Sequence, residues 1–359
     1  MFAVKITEIE VRTLSLPERY GRYSSQFGVL FVHSDTGPTG IGRFSAATLS
    51  TIRDDLAPIL IGQDPLRTER LWQAMYRKTR ELGPNQRDVV TAIGSLDVAL
   101  WDLKGRILGT PLHLLLGGCR DSIQAYADGA MFYRGPDGMA DWASRYAGEG
   151  FRAVKYHVMG EGPDEVVETV RKTRQAVGPD VRLMVDVHKA WHPRLAVHTA
   201  RRLEEYDLTW LEEPVSWDDE VGGMAYLSAE TRIDIAAGES ESSLYRCRDL
   251  LQRGGVKVLQ TDILGSGGYT AWLKMAGLAE AYHARISPHG ASFPELSAPL
   301  LAAVPNGMMV SAFPKGQVPE IWSQLYQEPI EIRDGIIKLS DRPGLGLEFD
   351  DDFLTRYAA

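Results

Sequence analysis

Leu208-Thr-Trp-Leu-Glu-Glu-Pro214 is a short apolar run that ends abruptly in two acids and a proline. A run of this length, bounded by residues that stop regular structure, is typical of a strand buried in a parallel sheet. Similar runs recur on both sides of it after residue 120, separated by helical patterns of roughly ten to fifteen residues. This alternation predicts an α/β fold built from βα units around a parallel sheet.

Eight such runs follow one another between residues 121 and 325. We predict strands over Ile123–Ala127, Ala153–Val158, Arg182–Val187, Leu208–Glu212, Ile233–Gly238, Val256–Gln260, Ala284–Pro288 and Met308–Val310. Eight units of this kind favour a closed barrel. In such a barrel the side chains that carry out chemistry lie at the C-terminal ends of the strands.

Acids and a histidine follow the ends of these predicted strands at a nearly constant interval. Glu212 lies 26 residues after Asp186, and Glu239 lies 27 residues after Glu212. Asp262 follows 23 residues later, and His289 comes 27 residues after that. One such acid alone would be interpreted as a helix cap or a solvated side chain. The shared interval favours one functional residue per βα unit.

Three carboxylates at one barrel mouth raise one another's pKa unless a cation compensates them. We therefore predict that Asp186, Glu212 and Glu239 bind a divalent metal. Oxygen ligands favour Mg²⁺, with Mn²⁺ as the alternative. Cys119 and Cys247 are the only cysteines and lie far apart in the sequence, which excludes a disulfide framework and a thiolate metal site.

Five polar residues outside the predicted metal triad are candidates for catalysis. Lys155 and His157 are two apart on one predicted strand, so both face the barrel interior, and His188 stands two residues after the first predicted metal ligand. We expect electrostatic stabilisation or proton transfer from them, against the alternatives of a structural ion pair and a core histidine. Asp262 can fix the tautomer of His289 and make it a general base, unless His289 merely occupies a loop.

The region before residue 120 has a different pattern. Val29–Ser34 and Thr39–Arg43 flank the turn Asp35-Thr-Gly-Pro38 and predict a hairpin. Apolar residues then recur at helical spacing from Val89 to Leu108, which predicts a long helix that ends before Gly109-Thr-Pro111.

Several motifs spread along nearly the whole chain share their order with one known family. These are Ala92-Ile-Gly-Ser-Leu-Asp-Val-Ala-Leu-Trp-Asp-Leu-Lys-Gly105, Gly109-Thr-Pro-Leu112, Leu116-Gly-Gly118, Gly150-Phe-Arg-Ala-Val-Lys155, Trp210-Leu-Glu-Glu-Pro214 and Gly238-Glu239. Together with Asp186, Asp262 and His289 they resemble the enolase superfamily, specifically its mandelate racemase and muconate lactonizing enzyme subgroup.

This resemblance implies a modified TIM barrel, (β/α)₇β, covered by an α+β capping domain. Residues 1–120 would form the cap, residues 121–325 the catalytic barrel, and residues 326–359 a tail that returns to the cap. The resemblance also implies the same three metal ligands. Its members bind a substrate carboxylate to Mg²⁺ while a base removes the α-proton to give an enediolate, and they form homo-oligomers.

Three positions depart from the racemase pattern. Lys155-Tyr-His157 replaces the usual Lys-x-Lys, and Asp186-Val-His188 replaces Asp-x-Asn and is similar to several acid-sugar dehydratases. Ser311 stands where the racemase pattern has a glutamate. These departures favour a hydro-lyase that dehydrates a sugar acid to a 2-keto-3-deoxy acid, with His289 acting on one face and His157 or His188 on the other.

Two other functions stay open at the level of sequence. A racemase or epimerase would need bases on both faces, which Lys155 or His157 opposite His289 would supply. A non-catalytic, crystallin-like binding protein would not need the ligand set. Six residues are predicted to contact the distal part of a polyhydroxylated acid: Arg19, Tyr20, Arg22, Tyr23, Phe44 and Glu295.

Charge and hydropathy narrow the partners. The 39 Lys and Arg are outnumbered by 48 Asp and Glu, and a net charge of −9 disfavours nucleic acid and anionic membranes as partners. No window approaches the roughly 18 apolar residues of a spanning helix, and the N-terminus lacks an apolar signal stretch. We expect a cytoplasmic protein that acts on a small carboxylate.

Overall fold

The structure, a computed structural model, describes residues 4–16, 26–82, 86–129, 133–290, 294–315 and 324–359. It begins with a three-stranded antiparallel sheet in the order β1 (Ile6–Ser15), β2 (Gln26–Ser34) and β3 (Thr39–Ser45). The predicted hairpin is confirmed, with β2 and β3 joined by a turn at residues 35–38.

The α-helices that follow come before residue 120. They are α1 (Ala57–Leu60), α2 (Thr68–Lys78), α3 (Gln86–Leu108) and α4 (Leu112–Leu115). Among them, α3 packs against β2 and β3. The long helix predicted from the apolar spacing is confirmed as α3 and begins three residues earlier than expected. Glycines on β3 allow α3 to pack close to this strand, since a Cβ at Gly40 would lie 2.2 Å from the carbonyl oxygen of Ala99.

The rest of the chain alternates strands and helices. The elements are β4 (Ser122–Asp128), α5 (Gly135–Gly148), β5 (Ala153–His157), α6 (Pro163–Val177), β6 (Arg182–Asp186), α7 (Pro193–Leu203), β7 (Leu208–Glu212), α8 (Glu220–Glu230), β8 (Ile235–Ala237), α9 (Leu244–Gln252), β9 (Val258–Leu259), α10 (Tyr269–Ala281), β10 (Arg285–Ile286), α11 (Pro294–Ala303) and β11 (Val310–Ala312). All eight predicted strands are confirmed, although several are shorter and β11 begins two residues later than expected.

These strands form a parallel barrel. Neighbouring strands pair in sequence from β4 to β10, and β11 pairs with β4. The segment before β11 reaches β10, because the Ile286 N–H donates to the Asn306 carbonyl at 3.1 Å and the Met308 N–H donates to the Ile286 carbonyl at 2.9 Å. The expected α/β barrel with an N-terminal cap is thus the observed fold.

An apolar layer fills the barrel interior beneath the functional residues. Its buried members are Tyr126, Ala153, Met184, Trp210, Ala236, Val258 and Met309. Because side chains alternate along a strand, the residue two positions further on faces the same interior. Lys155, Asp186 and Glu212 each stand two residues after a member of this layer, so they lie together at the C-terminal ends of β5, β6 and β7.

The C-terminal segment contacts both parts of the molecule. Its hairpin of β12 (Ile332–Arg333) and β13 (Ile336–Lys338) pairs antiparallel with β4, and α12 (Asp351–Arg356) follows. Beyond α12, the Ser15 N–H donates to the Tyr357 carbonyl at 2.9 Å. The domain boundaries at 120 and 325 stay predictions.

No helix in the described ranges is both long and apolar enough to cross a membrane.

Helix α3 is fastened to the turn between β9 and α10. Asp97 on α3 is buried and accepts hydrogen bonds from the Thr270 N–H at 2.8 Å and the Thr270 hydroxyl at 2.7 Å. The indole N–H of Trp72 donates to the Gly267 carbonyl at 2.7 Å. Gly94 lets the two segments touch, since a Cβ there would lie 2.2 Å from the Leu264 carbonyl oxygen. The cap is therefore fixed to the loop that follows Asp262.

Burial raises the pKa of Asp97 to about 7, although the Thr270 hydrogen bonds oppose this shift. A carboxyl whose pKa is raised on folding stabilises the folded state fully below its unfolded pKa, and this contribution is lost as the pH rises through the folded value. We expect Asp97→Asn to flatten the fall in stability between pH 5 and 7, by about 1.4 kcal/mol per pH unit. Urea unfolding across this range tests it.

The exposed Asp341→Asn serves as the matched control and should leave the pH dependence unchanged. Parallel pH profiles for wild type and Asp97→Asn would show that Asp97 does not titrate in this window.

Candidate active site

Lys155 is a buried cation at the centre of the barrel mouth. Its side chain is 1% exposed and donates a hydrogen bond of 2.8 Å to Glu212 Oε1. Its Nζ also lies 3.6 Å from Asp128 Oδ2 and 3.7 Å from Asp186 Oδ2. Burial alone would lower the pKa of Lys155, but the surrounding carboxylates, led by Glu212, hold this pKa well above its ordinary value. Lys155 is thus an ammonium throughout the physiological range.

His157 is held on both ring nitrogens. Its Nε2 lies 2.8 Å from Asp128 Oδ1, and its Nδ1 lies 2.9 Å from His188 Nε2 and 3.2 Å from Asp186 Oδ2. Burial lowers the pKa of His157, but Asp128 and Asp186 outweigh it and raise the pKa to about 9. Ser311 completes the chain, since its hydroxyl donates to Asp128 Oδ2 at 2.6 Å.

His188 forms the more exposed end of this chain. Its backbone lies in the left-handed region, with φ of 52°, and its N–H donates to Asp186 Oδ1 at 2.9 Å. The His188 side chain is 23% exposed, whereas the His157 side chain is 5% exposed. A small molecule that enters the barrel mouth therefore meets His188 before His157.

Glu212 is bound by neutral donors as well as by Lys155. Its Oε2 accepts hydrogen bonds of 2.9 Å from the Trp210 indole and from the Gln260 amide. Burial raises the pKa of Glu212; Lys155 opposes this shift, and the neighbouring Asp186 adds to it. Negative charge is thus crowded where β6 and β7 end, in register.

Glu239 is positioned by the second acid of the Glu-Glu-Pro motif. Glu213 is 1% exposed, and its Oε1 accepts hydrogen bonds from the Gly238 N–H at 2.8 Å and the Glu239 N–H at 3.3 Å. Lys189 Nζ lies 3.6 Å from Glu213 Oε2 and donates to Ser240 Oγ at 2.7 Å. Burial raises the pKa of Glu213 to about 8. The loops after β6, β7 and β8 are thereby joined.

His289 and Asp262 face each other on the far side of the mouth. His289 Nδ1 lies 3.7 Å from Asp262 Oδ2, which is longer than a hydrogen bond, and His289 Nε2 lies 3.4 Å from Glu239 Oε2. His289 Nδ1 has no hydrogen-bond partner among the described residues. Desolvation lowers the pKa of His289, but Asp262 and Glu239 raise it to about 9. Asp262 and His289 therefore face each other as a catalytic dyad would, but no hydrogen bond joins them.

The predicted metal ligands, Asp186, Glu212 and Glu239, suit a hard divalent cation. Asp186 and Glu212 are cross-strand neighbours, and Glu239 lies three residues beyond the Ala236 that pairs with Glu212. Their donors are all carboxylate oxygens, and the negative charge crowded around Glu212 is what a cation would relieve. Bonds already made to Glu212 leave further lone pairs for a metal.

A second group of ligand atoms is more compact. Among the described residues, His157, Asp186 and His188 bring one ligand atom each to within 4.8 Å of one another. Within the described ranges, the ligand atoms of the predicted triad, Asp186, Glu212 and Glu239, do not all lie within 4.8 Å of one another. Its assignment as the metal site stays a prediction.

The six predicted substrate contacts fall into two buried residues and four that lie outside the described ranges. Phe44 is 2% exposed and packs in the core of the cap, so its ring offers little surface to a substrate. Glu295 is buried at the start of α11, where its Oε1 lies 3.3 Å from Arg43 Nη1. The four predicted loop contacts lie outside the described residues: Arg19, Tyr20, Arg22 and Tyr23.

Two residues that are central to this geometry were not predicted from the sequence. Asp128 is the last residue of β4 and directly follows the predicted strand Ile123–Ala127, so the rule of strand-end acids could have found it. Glu213 follows a predicted ligand and would have been assigned to solvent by alternation. Its φ of 41° turns the chain at this point, and no sequence pattern signals that turn.

The mouth of this capped parallel barrel gathers buried carboxylates, a lysine and histidines from successive strand ends. This is the arrangement of TIM-barrel enzymes, whose active sites lie at the C-terminal face. The sequence of the chain matches two family models that together span most of it. Residues 10–117 match the mandelate racemase / muconate lactonizing enzyme N-terminal domain, and residues 138–353 match the enolase C-terminal domain-like family. The chain belongs to the enolase superfamily, in its mandelate racemase and muconate lactonizing enzyme branch.

Three relatives are named as cycloisomerases or as a dehydratase. The chain is 34% identical to D-galactarolactone cycloisomerase of Agrobacterium fabrum, over 83% of this chain and 82% of that protein. It is 33% identical to 3,6-anhydro-alpha-L-galactonate cycloisomerase of Streptomyces coelicolor, over 91% and 90%. It is also 33% identical to a protein of Caldivirga maquilingensis named as an L-rhamnonate dehydratase, over 91% and 82%.

A solved structure has the same fold. A mandelate racemase/muconate lactonizing enzyme from a marine actinobacterium, crystallised in complex with magnesium, superposes with a TM-score of 0.90. It is 30% identical and covers 99% of each chain.

Removing the central ammonium tests whether it holds the charges together. We expect Lys155→Met to cost about 3–5 kcal/mol of unfolding free energy, because it leaves Glu212 and its neighbours buried without a counter-charge. The double variant Lys155→Met/Glu212→Gln should recover part of that loss. Urea unfolding measures both.

The exposed Lys315→Met is the matched control and should change stability by less than about 0.5 kcal/mol. A Lys155→Met variant as stable as this control would refute the role of the ammonium.

Proposed function

We propose that this enzyme abstracts the α-proton of a sugar acid and expels the β-oxygen, giving a 2-keto-3-deoxy acid. The observation that carries the proposal is the arrangement of the barrel mouth. The predicted metal ligands stand at β6, β7 and β8. His157 and His188 lie on one side of them, and His289 with Asp262 lies on the other.

Such a flanked arrangement suits elimination. One group must remove the proton from the α-carbon, and another must give a proton to the oxygen that leaves the β-carbon. A substrate carboxylate lying over the acids and Lys155 would present its α-carbon between the two histidine groups. We assign His289 as the base and the His157–His188 pair as the acid.

Lys155 supports the first step by charge. Removal of a proton from the carbon beside a carboxylate adds negative charge to the carboxylate oxygens. Buried fixed positive charge next to those oxygens stabilises that charge without reorganisation. Mg²⁺ held by Asp186, Glu212 and Glu239 would supply further positive charge and orient the carboxylate.

The same residues serve two closely related reactions. In dehydration, the expelled β-oxygen is a hydroxyl and leaves as water. In cycloisomerisation of an anhydro sugar acid, it is a ring oxygen and stays attached to the product. The relatives that are 33–34% identical include both kinds of enzyme. We place dehydration first because of the Asp186-Val-His188 motif, and cycloisomerisation second.

Racemisation is less well supported. It requires a base on each face and return of the proton to carbon. Asp128 and Asp186 hold His157 protonated on one side, which suits donation to a departing oxygen better than proton removal.

The roles of the two histidine groups can be separated by exchange. We expect His289→Asn to reduce solvent-deuterium exchange at the α-carbon by about 10² to 10⁴. His188→Asn should keep that exchange and lose release of the keto acid. Mass spectrometry of recovered substrate and a keto-acid colour assay, applied across a sugar-acid and anhydro-acid library with and without EDTA, measure both.

His198→Asn, on the exposed face of α7, is the control and should behave as wild type. Exchange that survives in His289→Asn would contradict its role as base. Exchange in wild type with no loss of the β-oxygen from any library member would indicate a racemase or epimerase.

Metal removal tests the ligand assignment. Saturating Mg²⁺ should raise the unfolding free energy of wild type, by about 2.7 kcal/mol at one hundred times its Kd. Glu239→Gln should fold normally yet lose both this gain and turnover. Thermal melts with Mg²⁺ and with EDTA provide the measurement.

Glu280→Gln, an exposed change on α10, should keep the full response to Mg²⁺. An active Glu239→Gln variant would overturn the triad.

A further inference from the structure

We propose that His157, Asp186 and His188 form a binding site for a borderline divalent transition metal ion such as Zn²⁺. This site differs in ligand chemistry from the proposed magnesium triad. An ion at this site would take lone pairs of both histidines and so displace the proton that the His157–His188 pair supplies in the proposed reaction. The readout is therefore metal binding to the metal-free chain rather than turnover.

Two of the three separations between the ligand atoms are close to those expected around one shared ion. His157 Nδ1 lies 2.9 Å from His188 Nε2 and 3.2 Å from Asp186 Oδ2. When a metal binds nitrogen at about 2.1 Å, adjacent ligand atoms in tetrahedral or octahedral coordination lie about 3.0–3.4 Å apart. The third separation, between His188 and Asp186, falls within the 4.8 Å that encloses all three ligand atoms. Shortening it is the adjustment that a shared ion would require.

Asp128 supplies the outer contact that metal-binding histidines have. The His157 Nε2 lies 2.8 Å from Asp128 Oδ1. A ligating imidazole commonly donates its other N–H to a carboxylate, which fixes the tautomer that leaves the ligating nitrogen unprotonated. With the proton on Nε2, the Nδ1 lone pair of His157 points toward Asp186 and His188.

Charge balance also favours a divalent ion at this point. Asp128, Asp186 and Glu212 lie around Lys155, so three negative charges meet one positive charge when both histidines are neutral. A divalent cation makes this group neutral. A single proton shared between the two imidazoles would leave the group with a net charge of −1.

The ligand types select the ion. Imidazole nitrogen suits zinc, copper, nickel and iron, whereas Mg²⁺ prefers an all-oxygen shell. Asp186 belongs to both groups, so an ion at this site competes with Mg²⁺ for a carboxylate. The half-buried His188 leaves an entry path from solvent.

Isothermal titration of the metal-free full-length chain with Zn²⁺ tests the proposal. We expect one equivalent to bind wild type. His188→Asn should weaken binding by at least about tenfold through loss of a ligand, and Asp128→Asn by about tenfold to a hundredfold through loss of the outer contact. Zinc K-edge absorption fine structure should show two imidazoles in wild type and one in His188→Asn.

Two controls separate this site from other places for zinc. Glu239→Gln should bind Zn²⁺ as wild type does, because Glu239 belongs only to the magnesium triad, and His198→Asn should also be unchanged. Loss of Zn²⁺ binding in Glu239→Gln would place the ion at the triad and overturn the proposal. Equal affinity in wild type and His188→Asn, or no Zn²⁺ binding to wild type, would show that a proton rather than a metal holds the group together.

Discussion

The buried ammonium of Lys155 is the interaction on which the barrel mouth depends. Carboxylates at the ends of β4, β6 and β7 lie within 3.7 Å of it, in a layer that is almost closed to water. Without a cation among them, these acids would take up protons or push the strand ends apart. The lysine therefore allows negative charge to be concentrated on top of an apolar barrel core, and that concentration makes the mouth suitable for binding cations.

Much of the barrel could be predicted from sequence because its repeat is simple. Each buried strand is a short apolar run, and each functional residue follows its strand at a nearly constant interval. Asp186 and Glu212 were found in this way, and the structure places them side by side. The long helix α3 and the hairpin of β2 and β3 were predicted for similar reasons, since one face of each is buried and the apolar spacing records it.

The rest could not be predicted because it depends on contacts across strands. Asp128 and His157 are 29 residues apart, and only the barrel register brings them within hydrogen-bond distance. Glu213 turns inward because the backbone enters the left-handed region there, which alternation along a strand does not foresee. Phe44 was predicted to contact the distal part of a substrate, yet it packs inside the core of the cap.

The contact of α3 with the turn after β9 has a mechanical consequence. Asp97, Trp72 and Gly94 clamp the cap onto the chain segment that begins at Asp262. Opening the cap at this point therefore requires the barrel loop after Asp262 to move with it. A substitution at Asp97 or Gly94 in the cap would therefore also displace the barrel loop that begins at Asp262.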